Sequence, residues 1–443
     1  MNPGDRCDMG DVPTGVHKRR RVGHPGSVIG VDEVAELRSL LRRRDPVARS
    51  LALATLDEWS GGDLDVLGGR AVLEAASGSY PSIHGDHRHP AEMLARMLWE
   101  QPRVVDAADV ARAYLVAGER VRRAFLHQLA LRRDVEGLAA LERLLGPGGR
   151  NELLPRVTTA ALLPLLELAD AAAAGRVDDG DEVPARIVTL LVAVLGEPGW
   201  TWHAAELLGE LARRDHLDPA MRAQLVEVTT HHVHVLVDVC DRAAVTPAHV
   251  GDPVRSDRER LGVLARLLDR LDGEDRRVAL LRLLSAVDPR VSALGAARLA
   301  TLGEPVAPER FSLIARDPLG LAELYDGLAP TGRLDLLPEE FDQVSVHEAM
   351  LTRWLSQVTE LGRAPDEIEY LGRRSMGSDD VDLFRFRMHA PHWSSARGWM
   401  IGAAGAFTYS CYAAEDEGSL EEHVAEMRTT LADWPDRRAD GAA

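Results

Sequence analysis

Between Asp257 and Leu302 the apolar residues recur at helical spacing in three consecutive segments, broken only at Gly273 and at Asp288-Pro289. Residues three and four apart share one face of a helix, so each segment predicts an amphipathic helix. The first stripe reads Leu261, Leu264, Leu268 and Leu271, with Arg258, Arg266, Asp269 and Arg270 falling mostly elsewhere on the wheel. The second reads Val278, Leu281, Leu284 and Val287, and the third Val291, Leu294, Ala297 and Leu302. Asp288 is a good N-cap, and Pro289 suits the first helical position because its missing N–H is not needed there. Breaks this short fold successive helices back on one another.

The same pattern fills most of the chain. Val34, Leu37 and Leu41 form an early stripe, and Asp45-Pro46 caps a second helix bearing Val47, Leu51, Ala54 and Leu56. Helical patterns continue with few interruptions to residue 328, the firmest break being Gly146-Pro147-Gly148-Gly149. The segment 219–241 is predicted helical despite the strand-like alternation of Val233, Val235, Val237 and Val239. From about Pro338 the character changes, and half of the aromatic residues lie beyond Val346. A helix over 346–361 precedes a short strand over 368–371. Leu383 to Met388 then alternates strictly, with Phe384, Phe386 and Met388 on one face and Arg385 and Arg387 on the other. Further strands are predicted at 399–401 and 407–412, separated by Gly402-Ala403-Ala404-Gly405. Ser419 and Glu422 form a capping box for a last helix over 420–431. That helix is expected to receive Phe384, Phe386 and Met388.

The expected organisation is therefore a disordered tail (1–28), a helical-repeat array (29–335, with a possible sub-boundary near 146–152) and a small α+β module with an antiparallel sheet (336–443). Asp45-Pro46-Val47-Ala48-Arg49 and Asp288-Pro289-Arg290-Val291 resemble the turn that opens the second helix of HEAT-type repeats. The resemblance covers roughly residues 31–330. It implies a mainly α solenoid, since one helical hairpin cannot bury its apolar face alone. It names no ligand.

Composition narrows the function classes. A hydrophobic fraction of 45% suffices for a packed interior, and 443 residues exceed one ordinary core. The net charge of −18 argues against general nucleic-acid binding, whose footprint is basic, and against an anionic membrane surface. The three cysteines, Cys7, Cys240 and Cys411, are far apart and form no CxxC. That pattern fits a reducing cytoplasm, and no cofactor is expected. The start is polar, so no signal peptide is expected, and no apolar run is long enough to span a bilayer.

Candidate chemistry is sparse. His84, His87 and His89 with Asp86 offer the donors zinc takes, or form a solvated polar loop. On a helix, Glu227, His231, His234 and Asp238 fall within about 60° of one another. In the C-terminal module Arg385, Arg387, His392, Trp393, Arg397 and Trp399 are candidate contact residues, because Trp and Arg are enriched at binding hot spots. The leading expectation is a scaffold or adaptor that binds a protein partner through a helical-repeat surface. The alternative is an enzyme with its site in the C-terminal module or its seam with the array, using His389, His392, Arg397 or Cys411.

Overall fold

The computed structural model describes residues 29–59, 61–81, 88–146, 155, 159–177, 180–244, 254–271, 274–357, 364–376, 379–388, 399–406, 408–411, 422, 425 and 429. These are mainly helical, with a small antiparallel sheet in the C-terminal part. The chain divides into two compact units, residues 1–105 and 106–443.

The first unit holds α1 (Ile29–Arg42), α2 (Pro46–Glu58), α3 (Leu64–Leu67), α4 (Gly69–Ala76) and α5 (Pro90–Met97). Val34, Leu37 and Leu41 are buried as their spacing predicts. On α2 the predicted stripe is one position out of phase. Val47 and Leu51 are exposed, while Ala48, Ala52, Leu53 and Leu56 form the buried face.

The second unit opens with α6 (Ala107–Val116), α7 (Glu119–Leu131), α8 (Val135–Leu145), α9 (Thr159–Leu162) and α10 (Pro164–Ala173). Four helix pairs follow: α11 (Val183–Leu195) with α12 (Thr201–Arg213), α13 (Pro219–Ala244) with α14 (Arg255–Asp269), α15 (Glu274–Leu284) with α16 (Pro289–Thr301), and α17 (Pro308–Ala315) with α18 (Pro318–Leu328). Within each pair the helices pack together. The second members also pack in sequence, α12 on α14, α14 on α16 and α16 on α18, and α19 (Gln343–Gln357) continues that row.

Asp-Pro steps start several of these helices. Asp45, Asp288 and Asp317 each accept a backbone N–H of the first turn, with proline at the first helical positions. The third residue after each aspartate, Ala48, Val291 and Gly320, is buried. This offset explains the phase error on α2, where Val47 occupies the outward position that Arg290 holds on α16. On α15 the predicted stripe is also wrong. Val278, Leu281 and Val287 are exposed, whereas Ala279, Leu280, Leu283 and Ala286 are buried. The segment is apolar on two faces, and contact with α13 and α16 selects one of them.

α19 has two jobs. Val346 and Ala349 extend the helical core containing Phe311, Leu321 and Leu324. Leu351 and Leu355 meet the sheet of β1 (Glu367–Met376), β2 (Asp379–Arg387), β3 (Met400–Gly405) and β4 (Tyr409–Cys411), which are hydrogen-bonded in that order. Phe384, Phe386 and Met388 share one buried cluster with Leu351, Leu355 and Met400, so this face packs on α19. Of the predicted last helix only Glu422, Ala425 and Thr429 lie within the described residues, and they are helical and exposed.

Two strands differ from the sequence expectation. The 402–405 stretch is not a turn but the body of β3. A Cβ built on Gly402 would lie 2.8 Å from Leu351 Cδ2, so glycine there lets strand and helix close on each other. β1 is longer than its apolar signal, and it carries an irregularity between Tyr370 and Gly372, where Gly372 takes φ +125.

Candidate functional site: an arginine-lined groove beside Trp202

The row of second-member helices carries a polar groove of about 220 Å³ lined from α12, α14, α16, α18 and the end of α19. Its walls include Arg255, Arg258, Arg266 and Arg290, with Glu259 and Glu323 as the carboxylates. Trp202 and Arg266 also line a second cavity of about 110 Å³, together with Ala205, Val263, Leu267 and the charged Glu206 and Arg270.

Each side chain is placed by its helix phase. On α12, Thr201, Ala204, Ala205 and Leu208 are buried, which leaves Trp202 pointing outward and 51% exposed. On α14, Leu261, Leu264, Leu267 and Leu268 are buried, so Arg258, Gly262 and Arg266 fall on the groove side. The Arg266 guanidinium lies 4.9 Å from the Trp202 ring centroid, a cation–π contact. Arg266 makes no hydrogen bond or ion pair among the described residues, and its pKa is lowered first by partial burial and then by Arg298.

The other arginines are held more firmly. Arg258 Nε donates to Asp288 Oδ2 at 2.6 Å, and Asp288 is buried. Oδ1 of Asp288 meanwhile accepts from the backbone N–H groups of Arg290 and Val291. One carboxylate therefore caps α16 and orients a groove arginine. Arg255 donates to Glu259 at 3.0 Å and to the Gln357 carbonyl at 3.1 Å, which ties α14 to the end of α19. Burial raises the pKa of Glu323, against the pull of Arg353 and Arg290. On a neighbouring side, Arg260 donates to Thr201 Oγ1, to Asp257 and to the Gly196 carbonyl, and so fixes α14 against the start of α12.

The C-terminal candidates Arg385, Arg387 and Trp399 do come together. The two guanidinium carbons lie 4.5 and 5.0 Å from the Trp399 ring centroid. Arg385 pairs with Glu369 and Arg387 with Glu367 across the β1–β2 ladder. Each charge thus has a partner on the adjacent strand. His392, Trp393 and Arg397 lie outside the described residues, as does His389; of Cys411 only the backbone, in β4, is described.

On the opposite sheet face Asp382 is buried and accepts from His347 Nδ1 (2.7 Å), Tyr370 Oη (3.2 Å), and Arg373 Nε and Nη2 (3.0 and 3.1 Å). A carboxylate has about four acceptor sites, so this one is saturated. His347 hydrogen-bonds no other group among the described residues. The cluster staples β1, β2 and α19 together.

Of the predicted metal ligands, His84 and His87 lie outside the described residues. His89 caps α5, its Nδ1 accepting from the Glu92 N–H at 3.3 Å. In the helical stripe, Asp238 is engaged by Arg282 at 2.6 Å. Among the described residues no group of three or more His, Cys, Asp or Glu side chains is arranged to hold a metal. Cys240 is buried, and burial pushes its thiol up to about 12, which makes it a core residue rather than a nucleophile.

The groove is not legible in the sequence as a site. Arg258 and Arg266 stand off the apolar stripe, but nothing in the spacing joins them to Trp202 or Glu323, which are brought together only by packing. Comparison with family models, with characterised proteins and with solved structures returns no match for this chain.

Proposed function

We propose that the chain is a protein-interaction module, a HEAT-like helical array that docks a protein partner along the row of α12, α14, α16, α18 and α19. The observation that carries this reading is the pairing of exposed Trp202 with Arg266 at the junction of two cavities. Trp and Arg dominate binding hot spots because each offers large contact area together with a polar handle. The groove is lined from five helices by both charged and apolar side chains, which suits an extended segment of a partner better than an enclosed small molecule. No helix among the described residues is long and apolar enough to cross a membrane. The fold alone does not specify this role, and the reading rests on the site.

The test is affinity capture with the full chain from its native lysate, run in parallel with Trp202→Ala and Arg266→Glu. Hot-spot truncation costs about 2 kcal/mol or more of binding. The reading expects a specific partner that both variants lose while keeping the wild-type melting temperature. A partner retained equally by wild type and both variants contradicts it.

A further inference from the structure

We infer that the C-terminal sheet is a control element for the groove, coupled to it through the last turn of α19. The inference rests on the interaction reading above and goes beyond it, since it gives the sheet a part in shaping the surface that a partner meets.

The last turn of α19 is held from three sides. Leu355 is fully buried and, with partly buried Trp354, packs on the cluster of Phe384, Phe386 and Met388. Arg353 reaches the other way and pairs with Asp326 of α18 at 2.6 Å. Gln357, the final residue of α19, lines the groove, and its carbonyl accepts from Arg255 Nη1 at 3.1 Å. The last four carbonyls of a helix have no partner within it, so this groove arginine acts as the cap of α19. The helix dipole also favours a cation at this end. The same guanidinium donates through Nε to Glu259, another groove residue.

These contacts give the turn two states. Seated, it presents Gln357 to Arg255, which is then held between Gln357 and Glu259. Frayed, it turns Leu355 and Trp354 out to water and leaves Arg255 with Glu259 alone. The pairing of Arg353 with Asp326 does not replace the sheet, because an ion pair leaves the apolar side of the turn uncovered. Helix ends open locally at small cost, so whatever covers them sets how often they open. Here the cover is the sheet. Loosening the sheet therefore releases one wall of the groove, and by reciprocity loss of the Arg255 contact loosens the sheet.

Hydrogen–deuterium exchange on the full-length chain tests this without a partner, so its failure leaves the interaction reading standing. Two variants act from opposite ends: Phe386→Leu weakens the sheet side, and Arg255→Ala removes the cap. Arg255→Ala is expected to speed exchange at the end of α19 about two- to fivefold, the range of a charge contact at a helix terminus, and to speed β2 and β3 by a smaller factor. Phe386→Leu is expected to speed β2, β3 and the end of α19 together. In both variants α7 and α8 serve as the internal control and should exchange at the wild-type rate. An Arg255→Ala chain whose sheet exchanges as wild type, or a Phe386→Leu chain whose α19 end does, overturns the inference. So does acceleration of α7 and α8 by the same factor, which is global opening and not coupling. If Phe386→Leu does not fold, Arg255→Ala decides alone.

Discussion

Asp288 uses its two carboxylate oxygens differently: one terminates the backbone donors at the start of α16, the other holds the Arg258 guanidinium. Replacing it with alanine removes a cap and breaks a nearly buried ion pair at once. Caps contribute about 0.5–2 kcal/mol, and breaking a buried pair costs about 3–5 kcal/mol. Asp288→Ala is therefore expected to destabilise the chain by about 3.5–7 kcal/mol in urea unfolding if the two losses add. Asp288→Asn keeps the cap and should lose clearly less. Equal losses for the two would mean that the cap contributes nothing, and an unchanged stability of Asp288→Asn would mean the same of the Arg258 pair. Asp382 makes a complementary prediction in pH. Burial alone would raise its pKa, but hydrogen bonds from Arg373 and His347 outweigh burial and hold it below the ordinary carboxylate value. A depressed folded-state pKa contributes stability that is present above the unfolded pKa and is lost as pH falls through the folded one. Wild type should thus lose stability on acidification below about pH 4, the unfolded value for aspartate. Asp382→Asn should start lower and show a flatter acid limb. Parallel acid limbs in pH-jump unfolding would remove this account.

At the scale of elements, the sheet and α19 form the most directly testable packing unit. Phe386 is fully buried against the Leu351–Leu355 face, so Phe386→Ala should cost about 3–5 kcal/mol. Arg385 is partly exposed and paired with Glu369, and Arg385→Ala should change stability by less than about 1 kcal/mol. Thermal melts of the two variants decide the facing of β2, and the reverse order of losses would invert it. Gly402→Val should cost about 1–3 kcal/mol or more, because its side chain meets Leu351 before any rearrangement. The alternation of β2 makes its two faces readable from the amino-acid sequence alone, since period two admits no other assignment. What covers the aromatic face is not readable in the same way. The expected helix over 420–431 and α19 are both amphipathic, and only the fold shows Leu351 and Leu355 meeting Phe384 and Phe386. The phase errors on α2 and α15 share a cause. Val47-Ala48 and Val278-Ala279 each offer an apolar residue at adjacent positions, and alanine, being small, is easily overlooked as the inward one. The groove lies beyond sequence reasoning because its residues are spread from Trp202 to Gln357, and helical spacing carries no information across helices.

At the scale of the whole molecule, an acidic chain keeps a basic island. The groove belongs to the second unit, residues 106–443, where hydrogen bonds to Gln357 and Asp288 hold Arg255 and Arg258, and Arg266 lies against the Trp202 ring. Exposed charges are screened within about 8 Å at physiological salt, so partner binding through Arg266 should weaken as salt rises, while the apolar contact at Trp202 persists. The most direct test places a photo-reactive phenylalanine analogue at position 202, or at position 235 on α13 as the exposed control, in the full chain inside its source cells. The account predicts a discrete crosslinked product from position 202 that disappears when Arg266→Glu is added, and none of that product from position 235. The same product from both positions, or a product from 202 that survives Arg266→Glu, would contradict it.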